Sequence, residues 1–301
     1  MRVGVGTSLE EATPAFMQHV LPLADVVELI PDTLAVKAAG EKPVIPPATL
    51  ELLADMARRA RIVVHGVGLS IGSLPRWNDD YFRLLDQVLD AVPVAWHSEH
   101  LGFVNVDGRF VGTMLSLPRT EEALDLVTAR VQRLRKRYPI DFLLENIVNL
   151  LPDPPAEMSE AAFLNALVQR SGCGVLLDVY NLECNAHNQC YRISDFLDEL
   201  ELAAVREIHV AGGIRHAGLM LDVHSRATHA STRTLLPEVL RRTPRVETVV
   251  YELMPEAIPV LGYPAWADEL RFLKTLVTRD EPRDLPTRPA KPDQPGALRR
   301  L

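Results

Sequence analysis

The chain has 301 residues, of which 47% are hydrophobic and 24% charged, and this balance is typical of a folded globular protein. A chain of this length can bury a full core, and α/β barrels of about 250 residues commonly form one domain. The formal net charge of −8 disfavours a general nucleic-acid binder, which would need a basic surface. We therefore expect no nucleic-acid partner.

Membrane and secreted proteins are also disfavoured. No stretch approaches the roughly 20 apolar residues that a membrane helix needs. The first residues, MRVGVGTSLEE, lack the features of a signal peptide. Three cysteines are too few for a disulfide framework. We therefore expect a cytoplasmic protein without membrane contact.

Short β-branched segments alternate along the chain with longer segments of helical period, which is typical of a parallel sheet built from βαβ units. The eight predicted strands are Val3–Thr7, Val26–Ile30, Ile62–His65, Val94–His97, Phe142–Glu145, Val175–Asp178, Glu207–Val210 and Thr248–Glu252. The predicted helices between them include Pro47–Ala60, Tyr81–Ala91, Glu121–Tyr138, Ser159–Ser171, Ser194–Ala203 and Arg233–Arg242. We predict an α/β fold, a (β/α)8 TIM barrel, because eight such units most economically close on themselves. An open doubly wound sheet is the alternative, and the absence of a glycine-rich phosphate-binding turn disfavours it.

The domain is expected to span residues 1–278. Residues 279–301 contain five prolines and many charges without apolar periodicity, which predicts a disordered tail. Within the domain, Ser159 is expected to cap a helix and Gly172 to end it.

Polar residues occupy the predicted strand ends, where TIM barrels place their active sites. Nine candidate metal ligands lie at or just after these ends: His65, His100, Glu145, Asp178, Asn181, His209, Asp222, His224 and Glu252. Each alone has a structural explanation, such as a buried core histidine or a helix cap. Together the carboxylates would repel one another without cations, and mixed His, Asp and Glu sites suit Fe, Mn or Zn.

Nine ligands exceed the need of one ion and suit two or three, with Glu145 as a natural bridge. Residues beside them are further candidates for ligation or for support of the ligands: His97, Glu99 and Asn146. Of the other histidines, His19 is expected to lie at the surface in a helix, and His216 and His229 are expected to be structural residues on loops.

Seven short segments in order resemble the multinuclear non-haem iron-dependent oxidases of methanobactin and thiaglutamate biosynthesis. The resemblance extends over about Val3 to Leu276. The segments are HGVGLSIGS (His65–Ser73), SEHLGF (Ser98–Phe103), LLEN (Leu143–Asn146), LLDVYN (Leu176–Asn181), EIHVAGG (Glu207–Gly213), LDVHS (Leu221–Ser225) and YEL (Tyr251–Leu253). Each segment is short, and their ordered set is specific.

This resemblance implies a xylose-isomerase-like barrel that binds two or three irons, in mixed Fe(II) and Fe(III) states, and uses dioxygen as co-substrate. It implies that one iron is held by Glu145, Asp178, His209 and Glu252. A second would be held by His65 and His100 with a share of Glu145, and a third by Asn181, Asp222 and His224. The implied substrate is a residue, expected to be cysteine, of a ribosomally synthesised precursor peptide that a partner protein presents.

Two positions depart from the family pattern. Members often carry Asn-His-Gly about ten residues after the aspartate of the sixth strand, and Gln189 stands here in place of that histidine. His187 or Cys190 could replace it, or the third site could be weak or empty. Gly213 stands where members often have a second histidine. The number of irons stays open between two and three.

Three alternatives remain. A sugar isomerase or epimerase could use the same barrel with four divalent-metal ligands, but the surplus histidines disfavour it. An endonuclease-like zinc enzyme is disfavoured by the acidic charge. A non-catalytic peptide-binding protein with a vestigial site is disfavoured by the number of intact ligands.

Overall fold

The computed structural model describes residues 2–9, 11–151 and 156–278, so the predicted tail of residues 279–301 lies outside it. The strands, in chain order, are β1 (Gly4–Leu9), β2 (Val26–Leu29), β3 (Arg61–Gly66), β4 (Val94–His100), β5 (Gly102–Val106), β6 (Arg109–Ser116), β7 (Asp141–Glu145), β8 (Gly174–Asp178), β9 (Val205–Val210), β10 (Ile214–His216), β11 (Leu219–Leu221) and β12 (Thr248–Tyr251). The helices are α1 (Pro14–His19), α2 (Pro31–Leu34), α3 (Pro47–Met56), α4 (Asp79–Ala91), α5 (Glu121–Arg137), α6 (Glu160–Ser171), α7 (Val179–Asn188), α8 (Ile193–Glu199), α9 (Ala230–Arg242), α10 (Ile258–Leu261) and α11 (Tyr263–Val277).

Eight parallel strands close into a barrel in which neighbours follow the order β1, β12, β9, β8, β7, β4, β3, β2. Every connection between consecutive barrel strands carries at least one helix, so the predicted TIM barrel is confirmed. All eight predicted strands are present. The largest difference in bounds is in β4, which was expected to end at His97 and continues to His100.

Two antiparallel hairpins, β5–β6 and β10–β11, extend from the mouth of the barrel, by which we mean its C-terminal end. The sequence patterns do not predict them, because neither hairpin buries a continuous face. The first five residues of β6, Arg109–Thr113, are exposed, so the strand lacks the alternation of a half-buried one.

The side chains of each barrel strand alternate between the barrel interior and the helical layer. An apolar layer deep in the barrel is formed by Val26, Val63, Trp96, Leu143 and Leu176. Two residues further along each of these strands, the inward-facing side chains are polar: Glu28, His65, Ser98, Glu145 and Asp178. On four of these strands the residue between them faces outward and packs with the helices into the main hydrophobic core: Val27, Val64, Leu144 and Leu177. This alternation places the polar side chains of five strands in one layer.

Local expectations at the helix ends are met. The Ser159 hydroxyl accepts a hydrogen bond from the Ala162 amide at 3.0 Å, and Gly172 ends α6 with a left-handed φ of 72°. His19 is exposed at the end of α1, as expected, whereas His216 lies in β10 rather than in a loop. His229 is the residue before α9, and its Nδ1 lies 2.6 Å from the Ser231 hydroxyl.

Across the described ranges, no helix combines the length and apolar character needed to cross a membrane.

Candidate metal centre

Glu145, the last residue of β7, lies at the centre of the polar layer and is 1% exposed. Its Oε2 atom is 3.2 Å from His65 Nε2 and 3.3 Å from His100 Nε2. Its Oε1 atom is 3.6 Å from His209 Nδ1. One buried carboxylate therefore joins imidazoles from three strands.

A second group shares Glu145 and lies against β8, β9 and β12. Here the candidate ligand atoms of Glu145, Asp178, His209 and Glu252 all lie within 4.8 Å of one another. His209 Nδ1 is 3.0 Å from Glu252 Oε2. Glu252 follows the last residue of β12 and Asp178 ends β8, so strand ends supply both carboxylates. Glu145 belongs to this group and to the group of His65 and His100.

Asp222 and His224 extend the cluster on the segment that follows β11. His224 Nε2 is 2.7 Å from Asp222 Oδ1 and 3.6 Å from Glu252 Oε2. The backbone of His224 has a φ of 39°, a left-handed conformation that non-glycine residues rarely adopt. Asn181 lies in the first turn of α7, and its amide donates to Asp178 Oδ1 at 2.6 Å. Asn181 thus contacts Asp178, and His224 contacts both Asp222 and Glu252.

Many polar atoms of this cluster are buried without a hydrogen-bond partner. They are Glu145 Oε2, Asp178 Oδ2, Asn181 Oδ1, His209 Nδ1, Asp222 Oδ1, His224 Nε2 and Glu252 Oε2. Each unsatisfied buried group costs about 1–3 kcal/mol, so a folded chain does not collect them without compensation. Several approach one another at ion-pair distance without hydrogen-bond geometry. Lone pairs that converge in this way fit bound cations, and the all-nitrogen and oxygen donor set suits Fe, Mn or Zn.

The tautomer of each central imidazole is set by a partner on its remote nitrogen. His65 Nδ1 donates to the Ser98 hydroxyl at 2.9 Å, because that hydroxyl itself donates to the Val64 carbonyl. His100 Nδ1 donates to the Gly66 carbonyl at 3.0 Å. His209 is turned the other way, and its Nε2 lies 3.0 Å from Glu28 Oε2. Each ring thus directs its free nitrogen towards Glu145.

The electrostatics of the cluster show its need for positive charge. Burial lowers the pKa of His65, but Glu145 and Glu28 outweigh this effect and raise it to about 9. Burial would raise the pKa of Glu145, yet His100 and His65 hold it well below its ordinary range. The pKa of Asp178 is raised well above its ordinary value by burial and by the negative charge of Asp222. A metal-free cluster must therefore hold protons that bound cations would displace.

Glu28 and Glu207 are buried in the barrel interior, and the sequence patterns do not single them out. Glu28 faces inward in the layer of His65 and Glu145, and Glu207 lies two residues before His209, so an acidic residue inside an apolar strand was the available signal. Glu207 Oε2 accepts a hydrogen bond from Trp96 Nε1 at 2.7 Å. Burial and the nearby Glu28 carboxylate raise the pKa of Glu207 to about 8.

His97 and Glu99 are not brought to the cluster. Because β4 continues to His100, alternation turns both side chains outward, between the barrel and α4. There His97 Nε2 is 3.1 Å from Glu99 Oε1 and 3.0 Å from the Tyr81 hydroxyl. Burial raises the pKa of Glu99 and lowers that of His97 to about 3. This contact packs α4 onto the barrel and does not face the mouth.

Asn146 supports the cluster from the end of β7. Its side-chain oxygen accepts from the Asp178 amide and its Nδ2 donates to the Asp178 carbonyl, both at 2.9 Å. This pair of bonds joins the ends of β7 and β8. The Asn146 carbonyl also accepts from Asn181 Nδ2 at 3.1 Å, so the start of α7 is held as well.

Near the two departures from the family pattern, the side chains of Gln189 and His187 contact backbone carbonyls. Gln189 Nε2 donates to the Asn149 and Leu151 carbonyls, both at 3.1 Å. His187 is exposed, and its Nε2 lies 2.9 Å from the Gly218 carbonyl. Cys190 is exposed, and Cys184 is buried beside Tyr180. A side chain at Gly213 would meet the Leu221 carbonyl at 2.0 Å, so the β10–β11 hairpin fills that space.

The barrel and its mouth define a TIM barrel with groups of side chains that could hold metal ions. The D-psicose 3-epimerase of Clostridium cellulolyticum H10, solved with D-tagatose, aligns with a TM-score of 0.58 and 13% identity over 92% of this chain and 98% of that chain. An L-ribulose 3-epimerase aligns with a TM-score of 0.56 and 11% identity over 91% of this chain and 94% of its own. At such identities these similarities establish the fold alone.

The family is established by sequence. Residues 3–258 match the family described as the RiPP precursor modification enzyme MbnB/TglH/ChrH, where RiPP denotes a ribosomally synthesised and post-translationally modified peptide. The chain belongs to this family, which confirms the resemblance carried by the seven segments. A UPF0276 protein of Anaeromyxobacter sp. (strain Fw109-5) is 32% identical over 249 residues, covering 82% of this chain and 84% of that protein. One from Chromobacterium violaceum is 36% identical over 205 residues, covering 68% and 74%. Family and fold together favour an enzyme that modifies a precursor peptide.

Proposed function

We propose that the protein is a multinuclear non-haem iron oxidase that uses dioxygen to modify a residue, expected to be cysteine, of a ribosomally synthesised precursor peptide. The observation that carries this proposal is the buried set of unpaired nitrogen and oxygen atoms around Glu145, in a chain of a peptide-modifying family. Buried carboxylates in this number need cations, and the donor set suits iron.

The ligand groups support a centre of at least two ions. Glu145, Asp178, His209 and Glu252 would hold one ion, and His65 and His100 would hold a second with a share of Glu145. Iron, when bound, supplies the redox chemistry with dioxygen and acidifies a coordinated thiol. The protein would contribute imidazoles oriented by Ser98, Gly66 and Glu28, and the buried carboxylate of Glu145 that both ligand groups share.

A third ion would be held more weakly. Asn181, Asp222 and His224 offer three donor atoms that lack hydrogen-bond partners, and His224 Nε2 lies 3.6 Å from Glu252 Oε2. Gln189 and His187 are both bound to backbone carbonyls and do not add a fourth side chain. We therefore expect two firmly held irons and a third that exchanges more readily.

A peptide substrate is supported by the surface around the mouth. In the described ranges, seven of the ten exposed large hydrophobic residues lie between a barrel strand and the helix that follows it: Leu74, Val106, Phe110, Val111, Leu150, Leu151 and Met254. Exposed apolar side chains concentrated on one face are typical of a site for a macromolecular partner. The same surface could seat the precursor peptide or a partner protein that presents it. Because all three cysteines are free, we expect the protein to work in the reducing cytoplasm.

The proposal is tested by metal analysis of protein purified anaerobically from iron-supplemented cells. Two or three irons per chain, with both ferrous and ferric Mössbauer signals, would support it. Such protein should then consume dioxygen and change the mass of a cysteine-containing peptide encoded beside its gene. Stoichiometric zinc or manganese without iron, after growth in excess iron, would contradict the oxidase and favour an isomerase or hydrolase.

A further inference from the structure

His209 differs from the other central imidazoles in the partner of its remote nitrogen. The partners of His65 and His100 are neutral, namely a serine hydroxyl and a backbone carbonyl. The partner of His209 is the carboxylate of Glu28, at 3.0 Å from Nε2. Both side chains are completely buried.

Glu28 reaches His209 across the barrel interior. It lies on β2, which pairs with β1 and β3, whereas His209 lies on β9, between β12 and β8. Among the residues that the structure describes, no lysine or arginine forms an ion pair with Glu28, and its Oε1 atom has no hydrogen-bond partner. A buried carboxylate without a cation is costly, so its retention beneath the cluster calls for a role there.

We propose that Glu28 is a positioning residue for the metal centre, which orients His209 and strengthens it as a ligand. Its carboxylate accepts a hydrogen bond from Nε2–H, which leaves the Nδ1 lone pair to face Glu145 and Glu252. A histidine that donates to a carboxylate carries more negative charge on its ring than one that donates to a neutral group. The inference rests on the proposed metal centre.

The neighbouring Glu207 does not share this role. Its Oε1 atom is 3.9 Å from His209 Nε2, beyond hydrogen-bond distance, and its Oε2 atom is engaged by Trp96. Glu207 is equally buried in the same interior, so its replacement by Gln provides a matched control.

The two ion positions would therefore differ in the negative charge of the side chains around them. The ion held by Glu145, Asp178, His209 and Glu252 would face three carboxylates and a histidine backed by a fourth. The ion of His65 and His100 would face two histidines with neutral partners and a share of Glu145. The position next to Glu28 therefore favours the ion of higher charge.

The test is a titration of the metal-free protein with Co(II) and Zn(II), in competition with a chelator. We expect Glu28→Gln to weaken one of the two firm positions, and Glu28→Ala to weaken it by about 10–100-fold, the usual effect of losing such a partner. The other position and the Glu207→Gln variant should stay within about threefold of the parent. Equal affinities in the parent and both Glu28 variants would overturn the inference.

A second measurement needs no variant. Nitrogen-15 NMR of the Zn(II)-loaded parent should show His209 protonated at Nε2, and His65 and His100 protonated at Nδ1. His209 protonated at Nδ1 would overturn the inference even if the variants fail to fold. A parent that binds neither Co(II) nor Zn(II) would overturn the metal centre itself, whereas unchanged binding by the variants removes only the role of Glu28.

Discussion

Replacing Glu145 by Gln should release both firmly held metal ions at once. The carboxylate is shared by the two ligand groups, and its oxygens lie 3.2, 3.3 and 3.6 Å from three imidazoles. A neutral amide of the same shape cannot bridge two cations. Glu252→Gln should affect one group only, because Glu252 does not belong to the group of His65 and His100.

The same substitution should destabilise the metal-free protein at low pH. Glu145 is the main cause that raises the pKa of His65 from 6.5 to about 9, against the opposing effect of burial. That rise corresponds to at most roughly 3 kcal/mol of unfolding free energy. Because the folded-state pKa is the higher one, this contribution is complete below pH 6.5 and is lost as the pH rises through 9.

Urea unfolding in the presence of a chelator, from pH 6 to 9.5, would measure the difference between parent and Glu145→Gln. The loss of stability should be largest near pH 6 and shrink towards pH 9.5, while the exposed substitution Glu122→Gln changes little at any pH. Elemental analysis of the untreated proteins gives the metal count. A Glu145→Gln variant with full metal content, or with a stability loss independent of pH, would refute this account of the cluster.

Three further outcomes are expected. The difference in melting temperature between metal-loaded and metal-free protein should grow from pH 6 to 8, because bound ions must displace the proton of His65. Calorimetry measures this difference, and a value that does not change with pH would count against His65 as a metal ligand. Gly213→His should lower stability by about 1–3 kcal/mol and add no iron, because its side chain would collide with the Leu221 backbone; a gain of one iron per chain would show that the hairpin yields. Phe110→Lys, at a side chain 70% exposed on the β5–β6 hairpin, should reduce peptide turnover on the order of tenfold without loss of metal. The control Thr275→Lys, on α11, should leave turnover unchanged. Equal turnover in the two variants would show that β6 does not contact the peptide or its presenting partner.

The site of the protein was predictable where residues follow buried strands. His65, Glu145 and Asp178 end short apolar segments that alternate with helical ones, and parallel strand ends meet at one mouth. The sequence left the end of β4 ambiguous, because four polar residues follow one another there. An expected end at His97 left His97, Glu99 and His100 all at the mouth, and three more residues of strand turn the first two away.

Glu28 shows a different limit of sequence reasoning. It lies on the second strand, far along the chain from His209, and its partner is defined only when the barrel closes. The same holds for the β10–β11 hairpin, whose Leu221 carbonyl occupies the space beside Gly213. Contacts across the barrel depend on register and closure, which no local pattern encodes.

The sequence by itself therefore determined the barrel, the order of its ligand candidates and the family, because periodicity and short motifs are local properties of the chain. Only the tertiary structure decided which polar side chains converge. Closure of the barrel set the face of each strand residue, joined Glu145 to both ligand groups, and brought Glu28 beneath His209. These contacts join residues from opposite ends of the chain, and their distances follow from packing rather than from sequence spacing.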